Sequence, residues 1–381
     1  MKDVPHLSPL SELIANVSVP FEQAHAMPRS VYTCPEFCAH EKEALFAADW
    51  VCAGRSSALP DIGDYTTMTI ADEPIMVIRD ADGRLRAQSN VCRHRMSILL
   101  EGRGNARSIV CPYHAWTYGL DGQLRGAPAM MHNEAFEKPE ICLPQIRCED
   151  WRGWIMVTLN PDAPSISERL RGVDDLVGNF RMETYVETFR EHHHWNTNWK
   201  VLAENFMESY HLPVCHAGTI GHTVDLAKMT CPQGDPAFNY HYIIKNDAFA
   251  LTLAHPDNNH LVGEDRRTTW LISIYPGLLI TLTPGYFWYL SVQPDGPDHV
   301  DILYGGGLAP EFAADPEAEK HFAEIKAVLD AVNDEDRGCT ESVYRGICAG
   351  LSKPGPLSHL ERPNFEFATY IAKAMSKRLA V

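Results

Sequence analysis

Two short stretches, Cys92-Arg93-His94 and Cys111-Pro112-Tyr113-His114, with sixteen residues between them, constrain this chain more than any other feature. Each half offers one thiolate and one imidazole on a loop after a run that reads as a strand. Thiolate and imidazole suit iron–sulfur chemistry, and two of each match a [2Fe–2S] cluster with one iron on two cysteines and the other on two histidines. Exchanging two thiolates for neutral imidazoles removes negative charge and raises the cluster's potential, so that it accepts electrons from a ferredoxin or flavin reductase and passes them on. A structural zinc site or a pair of ordinary core cysteines are the alternatives. Zinc sites with this donor set, however, usually pair the cysteines in one half and the histidines in the other.

The signals around that motif are strands and turns. From Asp49 to about Thr158 the runs DYTTMTI, PIMVIRD, RLRAQSNVC, SIVCPYHAWTYGL and WIMVTL alternate with turn residues such as Ala81-Asp82-Gly83 and Asp121-Gly122. This pattern predicts a small all-β unit over residues 46–158. After the Pro161 to Pro164 punctuation the pattern predicts a helix near 165–180, a strand over 184–193 and a helix near 199–210. A block of antiparallel strands follows (TWLISIY, LLITLT, YFWYLSVQ, HVDILYGG), then a long helix over roughly 316–350 and an amphipathic helix near 364–379. The expected fold class is α+β: the all-β unit, a second domain at 159–381 with helices on an antiparallel sheet, and an N-terminal segment, 1–45, packing on the second domain. A chain of 381 residues, 45% hydrophobic, is long enough to bury two such cores.

A formal net charge of -17 argues against nucleic acid or an anionic membrane as partner, since neither polyanion is attracted to so acidic a protein. No apolar run reaches the length of a membrane span, and the first residues lack a secretory layout, so the expected location is the cytoplasm. The eleven cysteines, odd in number and scattered, do not read as a disulfide framework; ligands and free thiols are expected.

A second constellation lies in Asn205-Phe206-Met207-Glu208-Ser209-Tyr210-His211, with His216 five residues on. Glu204, Glu208 and His211 fall at i, i+4 and i+7, one face of a helix that Pro213 is expected to end. Two imidazoles near such a break, completed by one carboxylate, suit a two-histidine iron site with open positions for O₂. Histidines near a helix end are also a common accident, so the third donor decides. In the long C-terminal helix Leu329, Val332, Asp336, Val343 and Ile347 recur at helical spacing, which places Asp336 in the apolar stripe. An unpaired buried carboxylate is costly unless a cation compensates it; an iron would do so, and so would a buried arginine. Asp334, Arg337, Glu341 and Arg345 lie on another face and read as a solvated ladder of ion pairs.

The spacing of Cys92, His94, Cys111 and His114, with Trp116 and the Asp121-Gly122 turn after it, resembles the Rieske domain of the ring-hydroxylating oxygenases. The segment from Glu204 to His216 resembles that family's iron-binding motif. The resemblance covers about Glu41 to the C-terminal region and implies a Rieske [2Fe–2S] domain beside a catalytic domain of helix-grip type. By position it makes His211, His216 and Asp336 the ligands of a mononuclear Fe(II). Glu208 then matches the acidic residue that links a Rieske histidine of one subunit to the iron of the next in a homotrimer. Aromatic dioxygenases usually have aspartate there, whereas the glutamate of ENFMESYH is closer to the carnitine, betaine and stachydrine oxygenases. The implied activity is that of a terminal oxygenase. It uses O₂ and electrons from a ferredoxin or flavin/iron–sulfur reductase, ultimately from NAD(P)H, to hydroxylate, cleave or demethylate a small substrate.

The substrate is less legible. A methylated ammonium compound fits the glutamate, and cis-dihydroxylation of an aromatic ring is the alternative. The antiparallel block is the expected pocket wall, with Trp270, Tyr275, Phe287 and Tyr289 as a candidate aromatic cage, a flat-ring site or plain core. The loop 217–234 reads as a lid or as an ordinary surface loop. His192-His193-His194 does not read as a metal site, because adjacent residues of a strand point to opposite faces. Two non-enzymatic readings compete: a Rieske electron carrier, which leaves the second domain without a purpose, and an iron-free hydrophobic-ligand binder of helix-grip fold.

Overall fold

The runs of alternating and buried apolar residues between 51 and 158 pair into a seven-stranded antiparallel sheet. Its strands are β1 (Val51–Arg55), β2 (Asp64–Ile70), β3 (Glu73–Arg79), β4 (Leu85–Ser89), β5 (Arg103–Asn105), β9 (Gln145–Trp151) and β10 (Trp154–Thr158), in the order β1-β10-β9-β4-β3-β2-β5. A smaller sheet comprises β6 (Ile109–Val110), β7 (Thr117–Tyr118) and β8 (Leu124–Gly126). Ala71 and Asp72 both take positive φ between β2 and β3, the backbone that a two-residue hairpin turn needs to match the strand twist. This computed structural model describes residues 8–245, 252–351 and 353–379. It divides at Phe46–Glu168 from a second unit formed by the residues through Leu45 and those from Arg169 on. The sequence boundary at 158 thus falls ten residues early, because Trp50 Nε1 donates to the Pro164 carbonyl and Ser165 to Glu149, tying 159–168 to the β unit.

The larger unit is built on a second seven-stranded antiparallel sheet, ordered β11-β17-β16-β15-β14-β13-β12. Its strands are β11 (Val186–Trp195), β12 (Met229–Thr230), β13 (Phe238–Ile244), β14 (Thr268–Ile274), β15 (Leu278–Leu282), β16 (Tyr286–Pro294) and β17 (Val300–Leu308). β17 needs its glycines: a Cβ on Gly307 would meet the Val186 carbonyl oxygen at 1.9 Å. The helix Ala318–Cys348 buries Ile325, Leu329, Val332, Asp336, Thr340 and Tyr344. Val343 is exposed, so the buried stripe drifts off the spacing expected from the sequence and continues through Thr340 and Tyr344.

The helix beginning at Trp199, capped by Asn198, stops at Phe206 instead of running to Tyr210. Glu208 and His211 therefore do not share a helix face with Glu204. The Glu208 carboxylate accepts from the backbone N–H groups of Tyr210 and His211, and a new short helix, Leu212–Cys215, starts with Pro213 in its first turn. Pro213 opens a helix where the sequence suggested that it closes one; its missing N–H costs nothing in a first turn.

The N-terminal segment is held to this unit by a buried pair. Lys200 Nζ lies 2.8 Å from Glu41 Oε2, with both side chains fully buried, and Trp199 Nε1 donates to the same oxygen. Removing one partner strands the other charge. Lys200→Met is expected to destabilise this unit by about 3–5 kcal/mol, read as a lowered midpoint in urea unfolding. An unchanged midpoint would mean that Glu41 is neutral in the fold, the direction in which its burial pushes it against the pull of Lys200.

Candidate functional site

The two cysteine–histidine loops are near copies of each other. Met96 N–H donates to the Cys92 carbonyl and Ala115 N–H to the Cys111 carbonyl, and Met96 and Ala115 each take φ +57. Both cysteines are buried, and Tyr118 Oη lies 3.3 Å from Cys92 Sγ. Burial works to raise the Cys111 thiol, but backbone N–H groups of Tyr113 and His114 and the Cys92 sulfur bring it below the ordinary range, which favours the thiolate. The His94 and His114 rings lie 4.7 Å apart, and His94 stacks on Trp116. His94 Nδ1 is buried without a hydrogen-bond partner among the described residues. Among the described residues the groups of three or more such donors within 4.8 Å of one another lie elsewhere, which argues against one ion shared by all four. Cysteines paired with each other and histidines with each other fit a two-iron cluster.

In the larger unit His211, His216 and Asp336 converge. His216 Nε2 lies 3.1 Å from Asp336 Oδ1 and 3.3 Å from His211 Nε2, and His211 Nε2 is 3.5 Å from the same Asp336 oxygen. Three donors with edges of that size face a common point, as two imidazoles and a carboxylate do around one iron. Each ring is turned by its other nitrogen. His211 Nδ1 is 2.6 Å from Glu208 Oε1, and His216 Nδ1 is 2.9 Å from Glu335 Oε2, which also accepts from Thr219. Carboxylates so placed keep the proton on Nδ1 and leave Nε2 free to ligate. Asn205 donates to Asp336 at 2.7 Å.

The electrostatics follow. Burial alone would raise Asp336 and lower both histidines. The contacts win, holding Asp336 down at about 2 and His211 up at about 9, with His216 also raised. His241, fully buried and bonded to Ser209, is lowered to about 3 by burial and by His211.

Beside the triangle lies a cavity of about 130 Å³, walled by Phe206, Leu271, Tyr286, Trp288, Leu329 and Val332 among others. Ile220, Thr223, Val224 and Met229 of the expected lid loop also line it. The aromatic set expected from the sequence is elsewhere. Tyr275 stacks on Tyr370, Trp270 lies against Tyr242, Phe287 packs on Tyr185, and Tyr289 donates to Glu187. In β16 the residues of the other parity, Tyr286 and Trp288, face the cavity. The aromatic alternation was visible, but which face looks inward depends on what packs there.

Glu335, His241 and Lys245 escaped the sequence reading, as did the bond from Asn205 to Asp336; each is an ordinary residue until the fold brings it to the site. Cys215 and Cys339 form a disulfide, 124 residues apart in sequence, where only free thiols and ligands were expected. The short helix ending at Cys215 packs against the long helix near Asp336, a proximity that no local pattern announces. His193 bonds to Glu191 and to Asn333, while His194 turns to Asp295 and Asp301 in an exposed group, so the three adjacent histidines do not converge.

Comparison with known proteins adds a family. The Rieske [2Fe-2S] domain matches residues 49–144, and the ring hydroxylating alpha subunit (catalytic domain) matches 182–377. The carnitine monooxygenase oxygenase subunit of Acinetobacter baumannii is 36% identical over 203 residues, 51% of this chain and 53% of that one. The matched stretch thus spans about half the length of that curated relative. The glycine betaine monooxygenase oxygenase subunit of Chromohalobacter salexigens is 26% identical over 93% of this chain and 87% of its own length. A solved quaternary ammonium Rieske monooxygenase, bound to an inhibitor, superposes with a TM-score of 0.81 at 25% identity, covering 96% of this chain and 98% of that one.

Proposed function

Because the chain belongs to the ring-hydroxylating alpha-subunit family and carries its Rieske [2Fe–2S] domain, we propose that it is the oxygenase component of a monooxygenase acting on a methylated, quaternary ammonium compound. The observation that carries this reading is the His211–His216–Asp336 triangle opening on a cavity walled by Phe206, Tyr286 and Trp288. Aromatic faces attract a methylated ammonium group, and the relatives' names point the same way.

In this reading Cys92 and Cys111 hold one iron of the cluster, His94 and His114 the other, and His211, His216 and Asp336 hold the mononuclear iron. When bound, the cluster would supply electrons and the mononuclear iron would activate O₂. Glu208 and Glu335 orient the two imidazoles, and the apolar walls limit water beside the triangle. Glu208 is also the residue we assign to the electron path between a cluster and the iron of a neighbouring subunit, in a homotrimer fed by a ferredoxin or flavin/iron–sulfur reductase. We place the assembly in the cytoplasm; no helix among the described residues is long and apolar enough to cross a membrane.

Reduced protein exposed to air and a mixed panel of methylated amines and aromatic acids tests the substrate class by product mass. Gain of one oxygen, or loss of a methyl or amine fragment, supports the reading. Gain of two oxygens and two hydrogens on a ring compound replaces it with cis-dihydroxylation.

Iron binding should also depend on pH. In the metal-free chain burial disfavours the charged His211 ring, but Asp336 and Glu208 outweigh this and hold it protonated up to about 9. A protonated imidazole cannot ligate, so binding at neutral pH releases its proton. With His216 raised as well, Fe(II) affinity is expected to rise at least tenfold per pH unit from neutrality and to level off near 9, measured by anaerobic titration. A flat profile would remove His211 from the ligand set.

A further inference from the structure

One lysine stands in the cavity wall among the described residues. Lys245 follows directly on β13 and projects to the same face as Ile243, among lining residues that include no other lysine or arginine. The carboxylates in that lining, Glu208 and Asp336, are engaged by His211 and His216. No hydrogen-bond or ion-pair partner for the Lys245 ammonium occurs among the described residues, and burial pushes its pKa down.

Two further groups lack partners among the described residues. The hydroxyls of Thr269 and Thr281, both in the cavity wall, are buried without a hydrogen bond. Native proteins rarely leave buried hydroxyls unmet unless something else meets them. The three residues share one face. Thr269 pairs with Ile243, two residues from Lys245, and Thr281 pairs with Leu271, two residues from Thr269. They therefore form a diagonal across three strands, with neighbours about 7–8 Å apart at Cα. Lys245 stands four residues along β13 from His241, about 13 Å, so the diagonal begins at the far end of the wall from the histidines.

We propose that Lys245, Thr269 and Thr281 form an anion subsite, and that the substrate carries a carboxylate which docks there while its other end faces His211, His216 and Asp336. The ammonium neutralises the carboxylate, and the two hydroxyls donate to its oxygens. A purely cationic substrate would meet an unscreened like charge in the same cavity. The inference rests on the reading that this cavity is the substrate site, and it narrows the substrate from a methylated ammonium compound to one that is also an acid.

The test is equilibrium binding to the purified holoprotein, by calorimetry without O₂ or reductant, of matched probes: L-carnitine and its methyl ester, benzoate and methyl benzoate. At least one acid is expected to bind ten-fold or more tightly than its ester. Lys245→Gln should bring that ratio to within about two-fold, and Lys245→Arg should restore most of it; Thr281→Val, which keeps the side chain's shape, should lower it part of the way. Equal affinities within every pair, no binding of either acid, or a ratio that survives Lys245→Gln overturns the subsite. An intact preference for the acid with no oxygenated product in the turnover assay supports the subsite and rejects the oxygenase reading, so the two fail separately.

Discussion

Asp336→Ala is expected to lose the mononuclear iron and to reduce turnover by about a thousand-fold or more, while the [2Fe–2S] absorption spectrum stays that of the wild type. Asp336 is the one carboxylate facing both imidazoles, 3.1 Å from His216 Nε2 and 3.5 Å from His211 Nε2. It is also buried, and its charge is held down to about 2 against the effect of burial by the two histidines. Without it, two neutral rings remain to hold a hard divalent ion, too weak a set to retain it through purification. The cysteines and histidines of the cluster belong to the other unit, so their spectrum reports whether the chain has folded. Iron analysis should then find the cluster's two irons per chain and no third. Full iron content with full activity would refute the ligand assignment.

Glu208→Gln is expected to keep both metal centres and still lose about a hundred-fold in turnover. The carboxylate holds His211 Nδ1 at 2.6 Å and accepts the His211 backbone N–H, so it sets the ring's orientation and its tautomer. Orientation alone predicts a moderate loss, and Glu335 supplies the comparison. It holds His216 Nδ1 in the same way at 2.9 Å, yet only Glu208 is assigned a place on the electron path. Glu335→Gln should therefore cost less than Glu208→Gln. The rate at which the reduced cluster reoxidises with O₂ and substrate should fall in Glu208→Gln alone. Equal reoxidation rates in the two variants would reduce Glu208 to a positioning role for His211.

The donor sets were legible because each is written over a few residues of chain. Cys92, His94, Cys111 and His114 sit in two short loops, and His211 and His216 lie five residues apart. Asp336 was legible for another reason: a carboxylate in an apolar stripe is an anomaly that asks for a cation. The strands DYTTMTI and TWLISI were likewise visible in their alternation and β-branched content, and they are β2 and β14 of the structure.

Other features had no such local signature. Nothing in ENFMESYHLP says that the helix ends at Phe206, because that end is set by Glu208 turning back to cap the next segment. The Cys215–Cys339 bond and the Glu335–His216 contact join segments more than a hundred residues apart. The cavity wall was misassigned for a simpler reason. In a strand every second residue faces one side, and a sequence shows the alternation without the side, so Phe287 and Tyr289 were as good candidates as Tyr286 and Trp288.

The sequence by itself thus determined which side chains can bind metal, since ligand chemistry resides in residue types at short spacing, and it determined the two-unit α+β plan through periodicity. Only the tertiary structure decided which face of β13 to β16 encloses the cavity, which carboxylates turn His211 and His216, and that Lys245 stands in its wall with no partner among the described residues. Those depend on sheet register and on helix packing, where a shift of one residue exchanges the inside for the outside.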